Sequence, residues 1–576
     1  MKNFRDEKVR STGVGTDVDV SNTENSSGSS VPIFTDNNFT RLKKRVELEP
    51  QYGSFAPGRW SNADLDPTPV EEQTWSSLNY TFYWLNDAIA PGTLRLGSSL
   101  YTMGLSWKLC IVIITLGHFL MAIGLTLNGV VGSRFHIPFT IQSRASFGMF
   151  FSFAIVLIRM VVAAFWYGIN QYTGAQCVNV IILAIWPQFA QVPNHLPASA
   201  NITTQMMTAY IVYFLFVLPF HWIHPRKLRW FFTIKSIICL PAIFGMLIWA
   251  CVATGGKGTE NPVFRRGNTL SGSELGWAFM SGLNAMMGNY GTLAVNINDF
   301  TRYARSSRRT YVQIFVIPAS FMLMAFIGLV IVGSAERIYG ELQWDVLSIM
   351  TRWNDSSAAR AGAVLAAGSM AMAQVGTNLG ANCVSAASDL NAMFPRYINL
   401  RRGSYIVAVV GAWVLTPWNI LASADALLNF MNGYAIWLAP ITGTLLADFY
   451  VVHRQQYEVR ELYDPNGRYR FNRIGTNWRA VTAWCCGWVP LLPGLVAAVS
   501  HIIPPLPVLL RPGFAGLSNV PADLHQTTPT AAVNTGARNM YALGYMYGMS
   551  SSFLVYVVLC AAFPAKLRKK GSEDAV

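Results

Sequence analysis

Charge is what this chain has least of. Asp, Glu, Lys and Arg make up 12% of its 576 residues, about half the ~25% of an ordinary soluble domain. Most of its surface must therefore face something other than water, which excludes a large soluble enzyme or binding module. Cysteine is sparse too: there are eight, and none sits in a CxxC or a Cys/His spacing suited to zinc. Most of them fall inside apolar stretches, where inert buried thiols are the ordinary outcome. No disulfide framework and no metal site follow from them. Also missing are a Ser/His/Asp set and a phosphate-cradling loop, so the chain does not read as a membrane enzyme and implies no organic cofactor. The net charge is +14, yet no basic helix is interleaved with aromatics, which excludes nucleic acid as a partner.

Apolar sequence is abundant. Hydrophobic residues are 52% of the chain and aromatics 13%, gathered in blocks of about 20 residues, long enough to cross a ~30 Å hydrocarbon core. The blocks lie near 77–103, 108–131, 148–184, 204–223, 230–252, 275–297, 311–333, 358–384, 403–421, 424–452, 481–503 and 539–563. This predicts an all-α polytopic protein with about twelve transmembrane helices, in contact with membrane lipid.

An even number of spans puts both termini on one side, and basic residues indicate which. Arg134 and Arg144; Arg226, Lys227 and Arg229; Arg302, Arg305, Arg308 and Arg309; Arg396, Arg401 and Arg402; and Arg454 to Arg479 fall in alternate connections, and the run Lys566–Lys570 continues the series. The positive-inside bias makes that side, and both termini, cytoplasmic. Residues 1–70 are rich in Ser, Asn, Asp and Gly ("STGVGTDVDVSNTENSSGSS") and are expected to be a disordered cytoplasmic tail. They hold no apolar signal-peptide core, so the first span is expected to act as the insertion signal. Residues 71–455 would form the core, 456–564 a cytoplasmic loop with two peripheral helices, and 565–576 a second tail. The sequons at Asn201 and Asn354 land in expected outer loops.

Function is sought where the membrane rules are broken. The first span contains "WLNDAIAPGTLRLGSSL", with Asp87 inside it and Pro91-Gly92 near its middle. Proline removes a donor and glycine tolerates unwinding, and freed carbonyls at membrane depth are acceptable only beside a cavity. The sixth span carries a second breaker cluster, Gly288-Asn289-Tyr290-Gly291. Alone, either cluster could be a packed kink. Interruptions at matching positions of two five-helix halves point instead to a transporter's central site. The eighth span adds Gln374, Thr377, Asn378, Asn382 and Ser385, with Gly376, Gly380 and Ala381 small enough for close helix approach. In the third span Trp166 and Asn170 are four apart on one face, beside Gln171. A ring beside an amide suits a planar heterocycle, which can stack and pair its C=O and N–H edge. His118 reads as a packing residue.

These residues resemble the nucleobase:cation symporter-1 family, in particular its fungal Fur-type branch. The resemblance runs over about residues 65–455. It is carried by "DLDPTPVEEQTWSSLNYTFYWLND", "GSSLYTMGLSWK", "NINDFTRYAR", "SAASDLNAMFPRYINLRRGSY" and "NGYAIWLAPITGTLLADFYVV". It implies a five-plus-five inverted repeat of the leucine-transporter type with helices 1 and 6 broken, two peripheral helices, and proton-driven uptake of a nucleobase or related compound at the plasma membrane. Uracil, allantoin and uridine are the implied substrates; thiamine or nicotinamide riboside transport, or a non-transporting nutrient sensor, are the alternatives.

By motif, the resemblance implies that Trp166 stacks on the substrate ring, with Asn170 or Gln171, Tyr290 and Asn382 around it. Ala373, Gly376 and Thr377 match the cation region of sodium-coupled relatives, where Gly376 replaces a needed serine; this favours H+ as the coupling ion. Asp87 and Lys235 match positions linked to coupling or gating, and opposed charges there are expected to pair. Leu428, Phe430 and Met431 match a substrate gate. Arg95 departs from the expected neutral residue and suggests a larger or partly anionic ligand.

Overall fold

Once water is excluded, backbone polar groups can be satisfied only within helices or closed barrels, and this chain uses helices throughout. The computed structural model describes residues 47–48, 60–223, 228–255, 260–499 and 534–565, among which there is no β-strand. Most of the expected N-terminal tail, the basic residues Arg226 and Lys227, and the run Lys566–Lys570 lie outside the described residues.

The expected spans correspond to α1a (Ser77–Ala88) and α1b (Pro91–Thr102), α2 (Trp107–Phe135), α3 (Ser152–Ile185), α4 (Thr204–Val217) and α5 (Leu228–Ala253). They continue with α6a (Gly272–Asn289) and α6b (Gly291–Asn296), α7 (Gln313–Tyr339), α8 (Ser357–Thr377, running on through a π-helical turn to Met393), α9 (Leu400–Val409), α10 (Ala424–Ala447), α11 (Trp478–Trp488) and α12 (Gly544–Ala562). Among the described residues, eight segments are long and apolar enough to cross a membrane, and they belong to spans 2, 3, 4, 5, 7, 10, 11 and 12. The four that fall short are 1, 6, 8 and 9. Three of these carry the breakers and amides described above, because polar groups and interruptions shorten helices and lower their apolarity.

Packing repeats with a shift of five. The α1b–α7 contact is matched by α6b–α2, α1a–α7 by α6a–α2, α3–α4 by α8–α9, and α5–α8 by α10–α3. Helices 2 and 7 touch each other, as do 3 and 8. This is the five-plus-five repeat, with α11 and α12 packed on α10. Helices 1, 2, 6 and 7 form one group and 3, 4, 8 and 9 another. Close approach is set locally: a Cβ on Gly328 of α7 would lie 1.9 Å from the carbonyl oxygen of Leu94, so only glycine lets α1b pack so near.

The expected disorder of residues 1–70 is corrected at its end. Leu65 is fully buried, and Tyr463 donates to its carbonyl at 2.9 Å. Arg302 binds the Thr68 hydroxyl at 2.5 Å and the carbonyls of Asp64 and Asp66 at 2.9 and 2.7 Å, while Arg144 reaches the carbonyl of Trp60 at 3.1 Å. A polar composition does not prevent order where arginines from other loops satisfy the backbone.

Candidate functional site

The two broken helices and α8 converge on one cavity. In the first span the chain leaves the helix at Ile89 (φ −78, ψ 75) and Ala90 (φ −150, ψ 150). Pro91 is the first residue of α1b rather than part of the break, as its fixed φ and missing N–H favour. Gly92 is helical, and a Cβ there would meet nothing within 4 Å because it faces the cavity it lines. In the sixth span a single residue, Tyr290 (φ −112, ψ 21), separates α6a from α6b. The carbonyl of Gly288 accepts the Tyr434 hydroxyl at 2.6 Å. The eighth span changes register through a π-helical turn, Asn378–Cys383, of the kind frequent at functional sites. There the Asn382 amide donates to the Asn378 side-chain oxygen at 3.3 Å, and Asn378 in turn donates to the carbonyl of Tyr167 at 3.0 Å.

The cavity measures about 70 Å³, several times the ~10–15 Å³ that one water needs. Of the expected substrate residues, Trp166, Asn170, Tyr290 and Asn382 line it, as do Asp87, Thr377 and Met431. Gln171 does not. Neighbouring residues on a helix do not share a face; its side chain is fully buried and its amide atoms have no partner. Ala373 is buried outside the lining. Leu428 is buried behind the lining, and Phe430 packs edge-on against Trp166 with centroids 5.9 Å apart; Leu421 and Leu427 take the wall positions expected of them. Thr173 and Thr292 were not anticipated as lining residues. Thr173 was within reach of the helical period, since it follows Trp166 and Asn170 at i+7 and i+3.

The charged side chains at this depth all have polar partners. Tyr290 donates its hydroxyl to Asp87 Oδ2. The expected direct ion pair between Asp87 and Lys235 is corrected: the Lys235 Nζ donates to the Asn86 carbonyl at 2.5 Å and to Thr377 Oγ1 at 2.7 Å. Its ammonium thus bridges a carbonyl in the last turn of α1a and a hydroxyl of α8, linking the two helix groups from α5. Arg95 also lines the cavity, and its charge is matched by Asp345 at 3.3 Å. His118 is buried, bonds the carbonyl of Ile114 at 2.8 Å and stacks on Phe321 at 4.7 Å.

A buried polar cavity where two helices of an inverted repeat are interrupted defines a membrane transporter, not an enzyme. The chain belongs to the nucleobase:cation symporter-1 family, whose model, described as permease for cytosine/purines, uracil, thiamine, allantoin, matches residues 67–512. It is 37% identical to an uncharacterised permease of Schizosaccharomyces pombe over 93% of this chain and 89% of that one. It is 33% identical to the allantoin permease and 32% to the uracil permease of Saccharomyces cerevisiae, each over 87% of this chain and 76% of theirs. The solved structure of Mhp1 in its inward-facing conformation superposes with a TM-score of 0.64 at 18% identity, covering 90% of this chain and 96% of that one. That likeness is one of fold.

Proposed function

We propose that this protein takes up a nucleobase-like planar heterocycle across the plasma membrane by proton-coupled alternating access, with both termini in the cytoplasm. The observation that carries this reading is the cavity at the two helix breaks, walled by the Trp166 ring and edged by the amides of Asn170 and Asn382. An indole face and two amides recognise a flat ring with alternating C=O and N–H groups. The names of the relatives, permeases for allantoin, uracil and uridine, support the same substrate class.

Coupling to protons is supported by Lys235. The Asn86 carbonyl, in the last turn of α1a before the break, and the Thr377 hydroxyl are oxygen ligands of the kind that hold a hard cation, and here the lysine ammonium takes both. Protonated, it ties α1 to α8 through two charge-assisted hydrogen bonds; deprotonated, those two bonds become weaker neutral ones and the tie between the groups loosens. Asp87 supplies a second proton-binding group beside the same break.

Uptake of radiolabelled uracil and allantoin into permease-deficient yeast tests the proposal. Accumulation of at least one is expected, abolished by a protonophore and reduced at least tenfold by Trp166→Ala with surface expression intact. Uptake that survives both treatments would overturn it.

A further inference from the structure

Arg95 is a charged side chain in the wall of the cavity, only 1% exposed. Its guanidinium is held at one edge. Nη2 lies 3.3 Å from Asp345 Oδ1 and 3.4 Å from Gln176 Oε1, and the Gln176 amide closes the triangle by donating to Asp345 Oδ2 at 3.3 Å. Asp345 is itself fixed, accepting from the backbone N–H of Leu347 at 3.1 Å as the cap of a short helix. Trp344 lies beneath the guanidinium, 5.7 Å from ring centroid to Cζ.

A guanidinium carries five N–H donors, and these contacts, at the long end of hydrogen bonding, engage one nitrogen. Nε is buried and has no partner. Buried donors are rarely left unmet, and an exception calls for a cause. Asp345 neutralises the charge, so an anion is not needed to balance Arg95; an acceptor oxygen is needed to satisfy it. Trp166 and the two amides already account for a ring and its edge.

We propose that Arg95 is a specificity-determining residue that binds an oxygen the substrate carries outside its ring, a carboxylate or a ureido carbonyl. This rests on the reading of the cavity as the substrate site. Asp345 and Gln176 act as positioning residues that aim the fork and limit how strongly it attracts a full negative charge.

Affinities of the purified full chain in lipid nanodiscs for uracil, orotate (the same ring with a carboxylate) and allantoin (a ring with a ureido arm) test this. The wild type should bind orotate or allantoin more tightly than uracil. Arg95→Gln should collapse that ratio at least tenfold, the scale of a lost charge-assisted hydrogen bond, and Arg95→Lys should restore part of it. Asp345→Asn should move the orotate ratio the opposite way, raising it severalfold if the oxygen is anionic and leaving the allantoin ratio unchanged if it is neutral. A residue that merely holds the fold would not give shifts of opposite sign. A wild type that prefers uracil to both, or an Arg95→Gln that weakens all three in proportion, overturns the role of Arg95. Binding of all three unaffected by Trp166→Ala overturns the site reading instead, and binding of none overturns both.

Discussion

Lys235 and Arg95 are two cations at membrane depth with different solutions to the same problem. A lone charge at the centre of a spanning helix costs ~2.5–3.5 kcal/mol on insertion scales. Arg95 is offset by a carboxylate within reach. Lys235 is held by neutral oxygens from two different helices, and under the proposed proton coupling its protonation decides how firmly those helices are tied. Lys235→Met should therefore abolish protonophore-sensitive accumulation while leaving equilibrative exchange of preloaded substrate measurable. Accumulation that remains as sensitive to the protonophore as in the wild type would remove Lys235 from the coupling step. Of the residues that line the cavity, Trp166, Asn170, Tyr290 and Asn382 were legible because ring and amide chemistry is written in residue type. Gln171, which is buried away from the lining, shows the limit: adjacent positions have equal chemistry, and only the rotation of α3 decides which faces the cavity. Asp345 was not legible beside Arg95, since it is 250 residues away along the chain (345 minus 95).

Elements answer to backbone geometry and close packing. The approach of α7 to α1b depends on the missing Cβ of Gly328. Gly328→Ala is expected to destabilise the protein by about 1–3 kcal/mol, the usual cost of overpacking, seen as a lower melting temperature in detergent; an unchanged value would mean that α1b can shift freely. At the far end of α10, His453 lies outside the membrane span with Nδ1 3.1 Å from Asp448 Oδ1. Burial opposes the charged imidazolium, but the neighbouring carboxylate outweighs it and raises the histidine above its ordinary range. A raised folded-state value means stability that is complete below the unfolded value, ~6.5, and lost as pH rises through the folded one. His453→Gln should consequently lower the melting temperature more at pH 6 than at pH 9, and an equal loss at both would refute the pairing. The π-helical turn of α8 could not be read from sequence, because its i→i+5 register arises from how α8 seats against α3 and leaves no residue signature.

At the scale of the described helices, two groups meet across the cavity, with α5 and α10 alongside. Alternating access requires that contacts across this boundary be few and breakable, and several that cross it are polar: Lys235 bridges Asn86 and Thr377, and Arg95 on α1b meets Gln176 on α3. Breakable polar links between apolar groups suit rigid-body rocking about the cavity.

The sequence by itself determined the class of this protein. Low charge, apolar blocks of spanning length and breakers at matching places in two halves are local properties, and membrane exclusion of water converts them directly into helices, spans and interruptions. It also determined which residue types line the central cavity. Tertiary structure alone decided where each helix breaks, that Pro91 opens α1b rather than interrupting it, that Gln171 turns away, and that Lys235 binds a carbonyl and a hydroxyl instead of Asp87. The reason is physical: these outcomes depend on helix rotation and on partners far apart in the chain, which neither composition nor periodicity encodes.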